Sequence, residues 1–239
     1  MPVVNNKADK DIAIDEQGFN PTAEIEAEEQ NDSFYIKHVY PVIKRIFDFI
    51  VALIALAVLS PVFIVTALAV VIESPGKPIH KRICYRNGKE FAIYKFRSMV
   101  SDADNLEKHF TPEQLEQYRK EIKLDEDPRI TKVGRIIRKF SIDELPQLFN
   151  IIKGDMSLVG PRPIIEEEVK YYGDSQKLLF SVKPGLTGYW QVNGRSNSTY
   201  ESGERQKLEL YYAKHRSFML DIKILFMTVG AVIRCEGAK

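Results

Sequence analysis

The sequence is poor in cysteine and in features of exported proteins. Only two cysteines, Cys84 and Cys235, occur among 239 residues, far apart and in no metal-ligand spacing, which excludes a disulfide framework and a cysteine-based zinc site. We therefore expect free thiols in a reducing compartment. Residues 1–33 lack both a basic start and an apolar stretch, so we expect no secretory leader there and an N-terminus that stays in the cytosol.

The sequence also lacks an internal repeat and a long Gly/Ser linker. These absences exclude a solenoid and favour one compact unit over residues 74–239.

The near-neutral total charge of +1 conceals an uneven distribution. Residues 1–33 contain nine acidic and two basic residues, a net charge of −7, so the remaining residues carry +8. Phe19 is the only aromatic residue in this acidic segment. A segment with high net charge and few large apolar side chains cannot bury enough surface to fold. We expect residues 1–33 to form a disordered tail and assign it no role.

One long apolar run indicates a membrane helix. Residues 49–72 are 24 residues without a charged side chain, which exceeds the roughly 20 needed to cross a bilayer. Ser60 and Pro61 lie at the middle of the run, where the proline lacks a backbone N–H and its ring collides with the carbonyl of Ala57. We expect the helix to bend or break there, into halves of about 12 residues that are too short to cross alone.

The charges that flank the apolar run bear on its topology. A spanning helix normally has its lysine and arginine excess on the cytosolic side only, but here three basic residues stand on each side: Lys37, Lys44 and Arg45 before it, and Lys77, Lys81 and Arg82 after it. This balance favours a re-entrant helix with both ends in the cytosol. A spanning helix with a proline kink fits the same features equally well. The sequence KRIFD at residues 44–48 is typical of a membrane interface.

The rest of the chain predicts a mostly helical α/β unit. Asn87-Gly88 separates two β-like runs, at residues 78–86 and 91–94, and predicts a hairpin. Residues 222–233 are apolar except for Lys223 and too short to span, so they either lie flat on the membrane surface or fill the core. Helices are expected within residues 102–124 (two amphipathic helices), 166–172 and 201–215.

An acidic pair, Asp143 and Glu144, follows a run of basic residues. We expect the pair in the first turn of a helix, with Ser141 and Glu144 forming a capping box. A carboxylate in that position, close to arginines, is favoured in its ionised form and has phosphate-binding groups beside it. An ionised, oriented aspartate is what covalent phosphoryl transfer requires. A purely structural role of Glu144 as a helix cap remains open.

Among the arginines, Arg162 has the most restricted backbone, because it lies between two prolines. Its guanidinium is therefore held at low entropic cost, which suits bidentate contact with phosphate. Three other basic residues are expected to be ordinary surface charges: Arg129, Arg135 and Lys139.

A turn-rich stretch at residues 183–196 holds three glycines, the only tryptophan and Arg195. Its composition fits a nucleotide or sugar pocket and fits a structural loop equally well.

Several of these segments, in this order and at these spacings, resemble the bacterial sugar transferases, also called monotopic phosphoglycosyl transferases. The resemblance covers residues 44–239. It rests on KRIFD at 44–48, the Ser60-Pro61 pair, YKFRSM at 94–99, and residues 127–131, 141–148, 153–163 and 184–195.

The resemblance implies a reaction and a fold. The reaction is transfer of a sugar 1-phosphate from a UDP-sugar to polyprenyl (undecaprenyl) phosphate in the inner leaflet, with Mg²⁺. The fold is α/β and mostly helical, in a monotopic membrane protein on the cytosolic face of the bacterial inner membrane. Residues 34–73 would form an interfacial segment and a re-entrant helix broken at Ser60-Pro61, and residues 74–239 a cytosolic domain with membrane-surface helices. The acidic tail departs from the family pattern, because small members lack it and larger members carry several spanning helices instead.

The resemblance also implies roles for single residues. Asp143 matches the nucleophile that takes the phosphosugar, and the metal is expected at Asp143 and Glu144. Glu144 could ligate the metal, assist proton movement or cap the helix. Basic positions around the phosphates and the nucleotide match four residues: Lys95, Arg138, Arg162 and Arg195.

The expected partners are a UDP-sugar, undecaprenyl phosphate and inner-leaflet lipids, and no nucleic acid; self-association is left open. A membrane-anchored scaffold for glycan export is a competing hypothesis, but it would not need the acidic pair with arginines. A phosphohydrolase acting on lipid diphosphates is the enzymatic alternative, and it would need no polyprenyl acceptor. The sequence does not indicate which sugar is transferred.

Overall fold

A long apolar helix begins the described part of the chain, which in this computed structural model comprises residues 34–121, 124, 127–194 and 202–233. One turn of π-helix, Tyr35–Val39, leads into helix α1, Tyr40–Glu73. The 34 residues of α1 give a length of about 51 Å at the usual rise. By length and composition α1 could cross a membrane, which is compatible with membrane association. The acidic segment 1–33 lies outside the described residues.

Helix α1 continues through Ser60 and Pro61. The Ser60 hydroxyl donates a 2.8 Å hydrogen bond to the carbonyl oxygen of Ala57. That carbonyl is the one whose amide donor is missing at Pro61, so the serine side chain replaces the lost partner. The helix is uninterrupted here, and the break expected at Ser60-Pro61 stays a prediction.

Two short sheets and a series of short helices follow α1. Strands β1 and β2 form an antiparallel hairpin, and β3 pairs with β4 in parallel. In chain order the elements are β1 (Ile79–Arg86), β2 (Lys89–Phe96), α2 (Leu106–His109), α3 (Pro112–Glu121), α4 (Lys132–Lys139), a 3₁₀ turn (Ile142–Glu144), α5 (Gln147–Lys153), β3 (Ser157–Val159), a 3₁₀ segment (Glu166–Ser175), α6 (Gln176–Phe180), β4 (Gly185–Thr187), α7 (Tyr189–Asn193), α8 (Glu204–His215) and α9 (Phe218–Ile233).

Most of the expected elements are present. The mostly helical α/β class is confirmed, and so is the hairpin, whose turn residues Asn87 and Gly88 both have positive φ as a tight hairpin turn requires. The two helices expected within residues 102–124 are α2 and α3. The helix expected at residues 166–172 is a 3₁₀ segment instead.

Both ends of α1 contact the same folded domain. Near its start, the Arg45 guanidinium donates hydrogen bonds of 2.6 and 2.8 Å to carbonyl oxygens at the end of α5. At its other end, the Glu73 carboxylate accepts the first two backbone amides of α4, both at 2.8 Å. Between them Ala52, Thr66 and Val70 are buried. One face of α1 therefore lies along the domain over most of the helix.

The main core lies between α1, the hairpin, α5, β3, α8 and α9. It includes the free thiol of Cys84, which is buried. Cys235 lies outside the described residues. Helix α9 contributes Ile224 to this core and exposes Met219, Phe226 and Val229 on its other side. The apolar C-terminal run thus fills the core with one face and leaves an apolar face exposed.

Arg129 is not the surface charge that the sequence suggested. Its side chain is only 6% exposed, and its guanidinium lies 4.6 and 4.8 Å from the ring centroids of Phe110 and Tyr118. The Asp127 carboxylate accepts from it at 2.6 Å. Burial is tolerated because the charge is paired and stacked. Arg135 and Lys139 are exposed, as expected.

Candidate active site

The acidic pair lies in a 3₁₀ turn between α4 and α5. Ser141, with φ of 56°, leads the chain into this turn, and the amide of Glu144 donates to the carbonyl of Ser141 at 3.2 Å. Within the described chain the Ser141 side chain makes no capping hydrogen bond, so the predicted capping box is wrong. Helix α5 begins only at Gln147. The left-handed serine turns the chain before the helix starts, and the pair does not occupy its first turn.

Glu144 is the counter-ion of two basic residues from separate elements. The Lys95 ammonium on β2 lies 2.7 Å from Glu144 Oε1, and the Arg162 guanidinium lies 3.8 Å from the same oxygen. All three side chains are partly buried. The structure therefore brings together Lys95, Glu144 and Arg162, which are far apart in the sequence.

Asp143 is partly buried beside two cations. Burial raises the pKa of its carboxyl, Lys95 and Arg138 lower it, and the charge of Glu144 raises it further. The balance is a raised pKa, because desolvation outweighs the two cations. Asp143 does not lie in the first turn of α5, where the sequence placed it beside the helix dipole. The side chains that favour its ionised form are Lys95 and Arg138.

Close packing of α4 against the chain after β2 positions Arg138. A Cβ on Gly134 would overlap the carbonyl oxygen of Ser98, so only glycine permits this approach. The Arg138 Nε then donates to Ser98 Oγ at 2.8 Å. Burial lowers the pKa of Arg138, and the nearby Asp143 charge raises it.

The segment that carries Arg162 is built on the β3–β4 pair. The amide of Gly160 donates to Thr187 O at 2.9 Å, and the amide of Gly185 donates to Pro161 O at 2.8 Å. A Cβ on Gly160 would overlap the backbone of Lys183 and Gly185, and a Cβ on Gly185 would overlap the backbone of Gly160. Gly185, in the stretch at residues 183–196, therefore has a structural role, because it permits this contact.

Glu209 on α8 also holds the Arg162 segment. It is only 1% exposed, and it accepts the backbone amide of Arg162 at 3.4 Å and the Arg205 Nε at 3.3 Å. The Tyr172 hydroxyl donates to its other oxygen. Burial raises the pKa of Glu209. This residue was not identified from the sequence, because a glutamate within a helix carries no local signal of burial.

A cleft opens beside Glu144 and Arg162. Asp143 is not among its lining residues, although its neighbour Glu144 is. Two of its polar members were not predicted as site residues: Arg82, which was counted from the sequence only as a membrane-flanking charge, and Gln147. Gln191 belongs to the stretch at residues 183–196, whose composition fits a nucleotide or sugar pocket. The lining consists of Arg82, Ile93, Lys95, Glu144, Gln147, Arg162, Pro163, Gly185, Leu186 and Gln191.

Some of the predicted residues are not found at this site among the described residues. Arg195, predicted at the phosphates or nucleotide, lies outside the described residues. Ser60 and Pro61, predicted only as a helix break, lie in the exposed middle of α1 and are not among the residues lining the cleft. The predicted site residues that the structure brings together are therefore Lys95, Arg138, Asp143, Glu144 and Arg162.

The family profile of bacterial sugar transferases matches residues 39–235. The exopolysaccharide production protein ExoY of Sinorhizobium fredii is 39% identical over 209 residues, which cover 85% of this chain and 91% of ExoY. The undecaprenyl-phosphate galactose phosphotransferase of Salmonella typhimurium is 44% identical over 200 residues, which cover 82% of this chain and 41% of that protein.

A third relative is the UDP-N-acetylgalactosamine-undecaprenyl-phosphate N-acetylgalactosaminephosphotransferase of Aeromonas hydrophila. It is 35% identical over 222 residues, which cover 89% of this chain and 48% of the relative. The matched region therefore spans nearly all of ExoY but less than half of each of the two phosphotransferases.

Proposed function

The chain belongs to the bacterial sugar transferase family and is a phosphoglycosyl transferase, and on this premise we propose that it transfers a sugar 1-phosphate from a UDP-sugar to undecaprenyl phosphate. The observation that carries the proposal is the convergence of Asp143 and Glu144 with three cations, Lys95, Arg138 and Arg162. A carboxylate surrounded by cations suits attack on a diphosphate, since the cations offset the negative charge of the substrate.

In the first step the ionised Asp143 carboxylate attacks the phosphorus that bears the sugar. The bond from that phosphorus to the bridging oxygen breaks, and UMP leaves with the electron pair. Lys95 and Arg138 favour the ionised nucleophile against the effect of burial. Arg162, beside the cleft, is in a position to bind the diphosphate oxygens.

In the second step an oxygen of undecaprenyl phosphate attacks the phosphorus of the aspartyl phosphosugar. The acyl phosphate bond breaks, the Asp143 carboxylate is released, and the product is undecaprenyl diphosphate sugar. A covalent intermediate of this kind divides one displacement into two steps at the same carboxylate.

The acidic pair fits Mg²⁺ by the chemistry of its donors. Magnesium is commonly held by one or two carboxylates, with phosphate oxygens and water completing its ligands, and Asp143 and Glu144 would supply the carboxylates. Among the described residues no group of three or more acidic, histidine or cysteine side chains is arranged to hold a metal ion, so phosphate oxygens of the substrate and water would complete the ligands. A bound Mg²⁺ would neutralise charge on the diphosphate.

The contacts of α1 support a monotopic topology. Arg45 and Glu73, near opposite ends of the helix, both bind the same domain, and a domain on one side of a bilayer cannot hold both ends of a straight spanning helix. We therefore place both ends in the cytosol, with the middle of α1 dipping into the inner leaflet of the bacterial inner membrane. The outward face of α1 is apolar: Leu53, Ile54, Val58, Val65 and Leu68 are all more than half exposed.

The test is UMP release from a panel of UDP-sugars, with and without undecaprenyl phosphate. We expect sustained UMP release with at least one UDP-sugar only when the lipid is present, together with formation of a lipid diphosphate sugar. Release of inorganic phosphate from lipid diphosphates, with no need for an acceptor, would instead identify a phosphohydrolase.

A further inference from the structure

Two buried carboxamides line the cleft beside the acidic pair. Gln147, the first residue of α5, is 3% exposed, and Gln191, in α7, is 6% exposed. Both share the cleft with Glu144 and Arg162. The proposed catalytic steps use neither of them.

The amide oxygen of Gln191 is buried and has no hydrogen-bond partner among the residues that the structure describes. Such an oxygen has lost its water without gaining a donor, which destabilises the fold, and native proteins rarely leave one in this state. An apolar side chain of the same size would avoid this cost. Since the residue lines a polar cleft, a ligand that brings its own donor is the simplest reason for an amide here.

We propose that Gln147 and Gln191 recognise the part of the nucleotide sugar that adjoins the diphosphate, by hydrogen bonds to a sugar hydroxyl or to a uridine N–H or hydroxyl. The inference rests on the proposed function, in which Arg162 binds the diphosphate oxygens. A cleft wall that hydrogen-bonds a substrate group discriminates strongly against an analogue that lacks the group, because the buried amide is then left unpaired.

The test replaces each amide by an apolar side chain of similar size in the full chain, as Gln147→Met and Gln191→Met. Gln206→Met is the matched control, because Gln206 is 5% exposed, lies on α8 and is not one of the cleft-lining residues. For each protein the thermal unfolding midpoint without ligand and the affinities for UDP-galactose, UDP-glucose and UMP are measured.

A recognition role predicts a particular combination of results. Gln191→Met should leave the midpoint unchanged or raise it, while the affinity for a bound UDP-sugar falls about ten- to a hundredfold. Gln206→Met should leave this affinity unchanged. A lower midpoint with unchanged affinities would show that Gln191 is structural and would overturn the proposal.

Comparison of the ligands shows whether the uridine or the sugar forms the hydrogen bond with the amide. If Gln191→Met weakens UMP as much as the UDP-sugar, the amide binds the uridine; if UMP is unaffected, it binds the sugar. N3-methyl-UMP and a UDP-deoxysugar test the same contacts on the wild-type protein, without dependence on a folded variant. The wild type should bind at least one of them more weakly than its parent, and equal affinities for both would count against recognition.

These binding measurements are independent of turnover. If the wild type binds UDP-sugars but transfers none of them, the proposed function fails while the recognition result stands. If turnover is normal and the affinities of both methionine variants are unchanged, only the recognition proposal fails.

Discussion

The ammonium of Lys95 lies 2.7 Å from Oε1 of Glu144, and this ion pair joins β2 to the turn that carries Asp143. Lys95 also favours the ionised form of Asp143. One lysine therefore acts on both members of the acidic pair. Removing it affects the charge of Asp143 and leaves Glu144 with one fewer counter-ion.

Lys95→Met should lower turnover more than it lowers stability. The ion pair is partly solvent-exposed, so its contribution to stability is small, whereas loss of a charge beside a reacting diphosphate removes transition-state stabilisation. We expect a fall in kcat of about tenfold or more with a thermal midpoint close to wild type. Steady-state kinetics and thermal unfolding of the same preparation check this. A large drop in the midpoint with normal kcat would make Lys95 a structural residue.

Three arginine variants compare the candidate site with the protein surface, and two of these arginines, Arg135 and Arg138, lie on the same helix α4. Arg162→Ala should reduce turnover about ten- to a hundredfold, since loss of a charge-assisted hydrogen bond to phosphate costs about 1.5 to 3 kcal/mol. Arg138→Ala should also reduce turnover, because it removes a cation that favours the ionised form of Asp143. Arg135→Ala is the control, because Arg135 also lies on α4 but is exposed. Its kcat/KM should stay near wild type. Equal effects in all three variants would mean that the basic residues form only a charged surface.

Structural elements that depend on a few neighbouring residues can be predicted from the sequence. Asn87-Gly88 specifies the hairpin through its turn geometry. The burial of Arg129 was not predicted because its partners, Phe110 after α2 and Tyr118 in α3, contact it only in the folded chain, and such stacking cannot be inferred from spacing along the sequence.

The candidate site was predictable from the sequence only in part. Asp143, Glu144 and the arginines follow from motifs and from the family resemblance. Gln147 and Gln191 lie within stretches that were named from the sequence but were not themselves singled out, and Glu209 carries no local signal of its burial. Ser141 also has no local signal for its left-handed conformation, which turned an expected helix start into a 3₁₀ turn. Burial of these residues depends on the packing of β3, β4, α7 and α8, and this tertiary arrangement is absent from a residue pattern.

Glu209 gives an expectation for the pH dependence of stability. Burial raises its pKa in the folded protein above the usual 4.5. At a pH between 4.5 and this raised pKa, Glu209 is protonated in the folded state and ionised in the unfolded state. Its contribution to stability is therefore complete below about pH 4.5 and decreases as the pH rises through the raised pKa. Glu209→Gln carries no titrating proton and should flatten this decrease. Denaturant unfolding from about pH 5 to about pH 8 measures the slope, and identical slopes in both proteins would contradict the expectation.

The proposed topology of α1 predicts the labelling of its two flanks. Single cysteines at Lys37 and Lys77, introduced with Cys84 and Cys235 replaced by serine, should both resist a membrane-impermeant maleimide in intact cells and react after permeabilisation. A periplasmic cysteine in a known exported protein serves as the positive control. Labelling of Lys77→Cys from outside, with Lys37→Cys protected, would mean that α1 spans the membrane. Pro61→Ala should shift some molecules towards spanning, because alanine removes the proline ring that collides with the carbonyl of Ala57 and so favours a straight helix.

The proposed covalent intermediate depends on one residue, Asp143. Asp143 lies beside Lys95 and Arg138, in a turn next to the cleft, and in the proposed mechanism its carboxylate bonds to the phosphosugar before the lipid arrives. Enzyme mixed with a sugar-labelled UDP-sugar and no undecaprenyl phosphate should therefore retain label on the protein and release about one UMP per active site. Asp143→Asn keeps the shape but removes the anionic nucleophile, so both the retained label and turnover should vanish.

Glu144→Gln is the matched variant for this experiment, since it neutralises the adjacent carboxylate and leaves Asp143 in place. It should still retain label, more slowly, because one of the two carboxylates proposed to hold Mg²⁺ is lost. Mass spectrometry of the labelled protein locates the adduct, and hydroxylamine should release it as expected for an acyl phosphate. If the wild type retains no label and UMP appears only when both substrates are bound, the lipid phosphate attacks the UDP-sugar directly, and Asp143 then acts without forming a covalent bond.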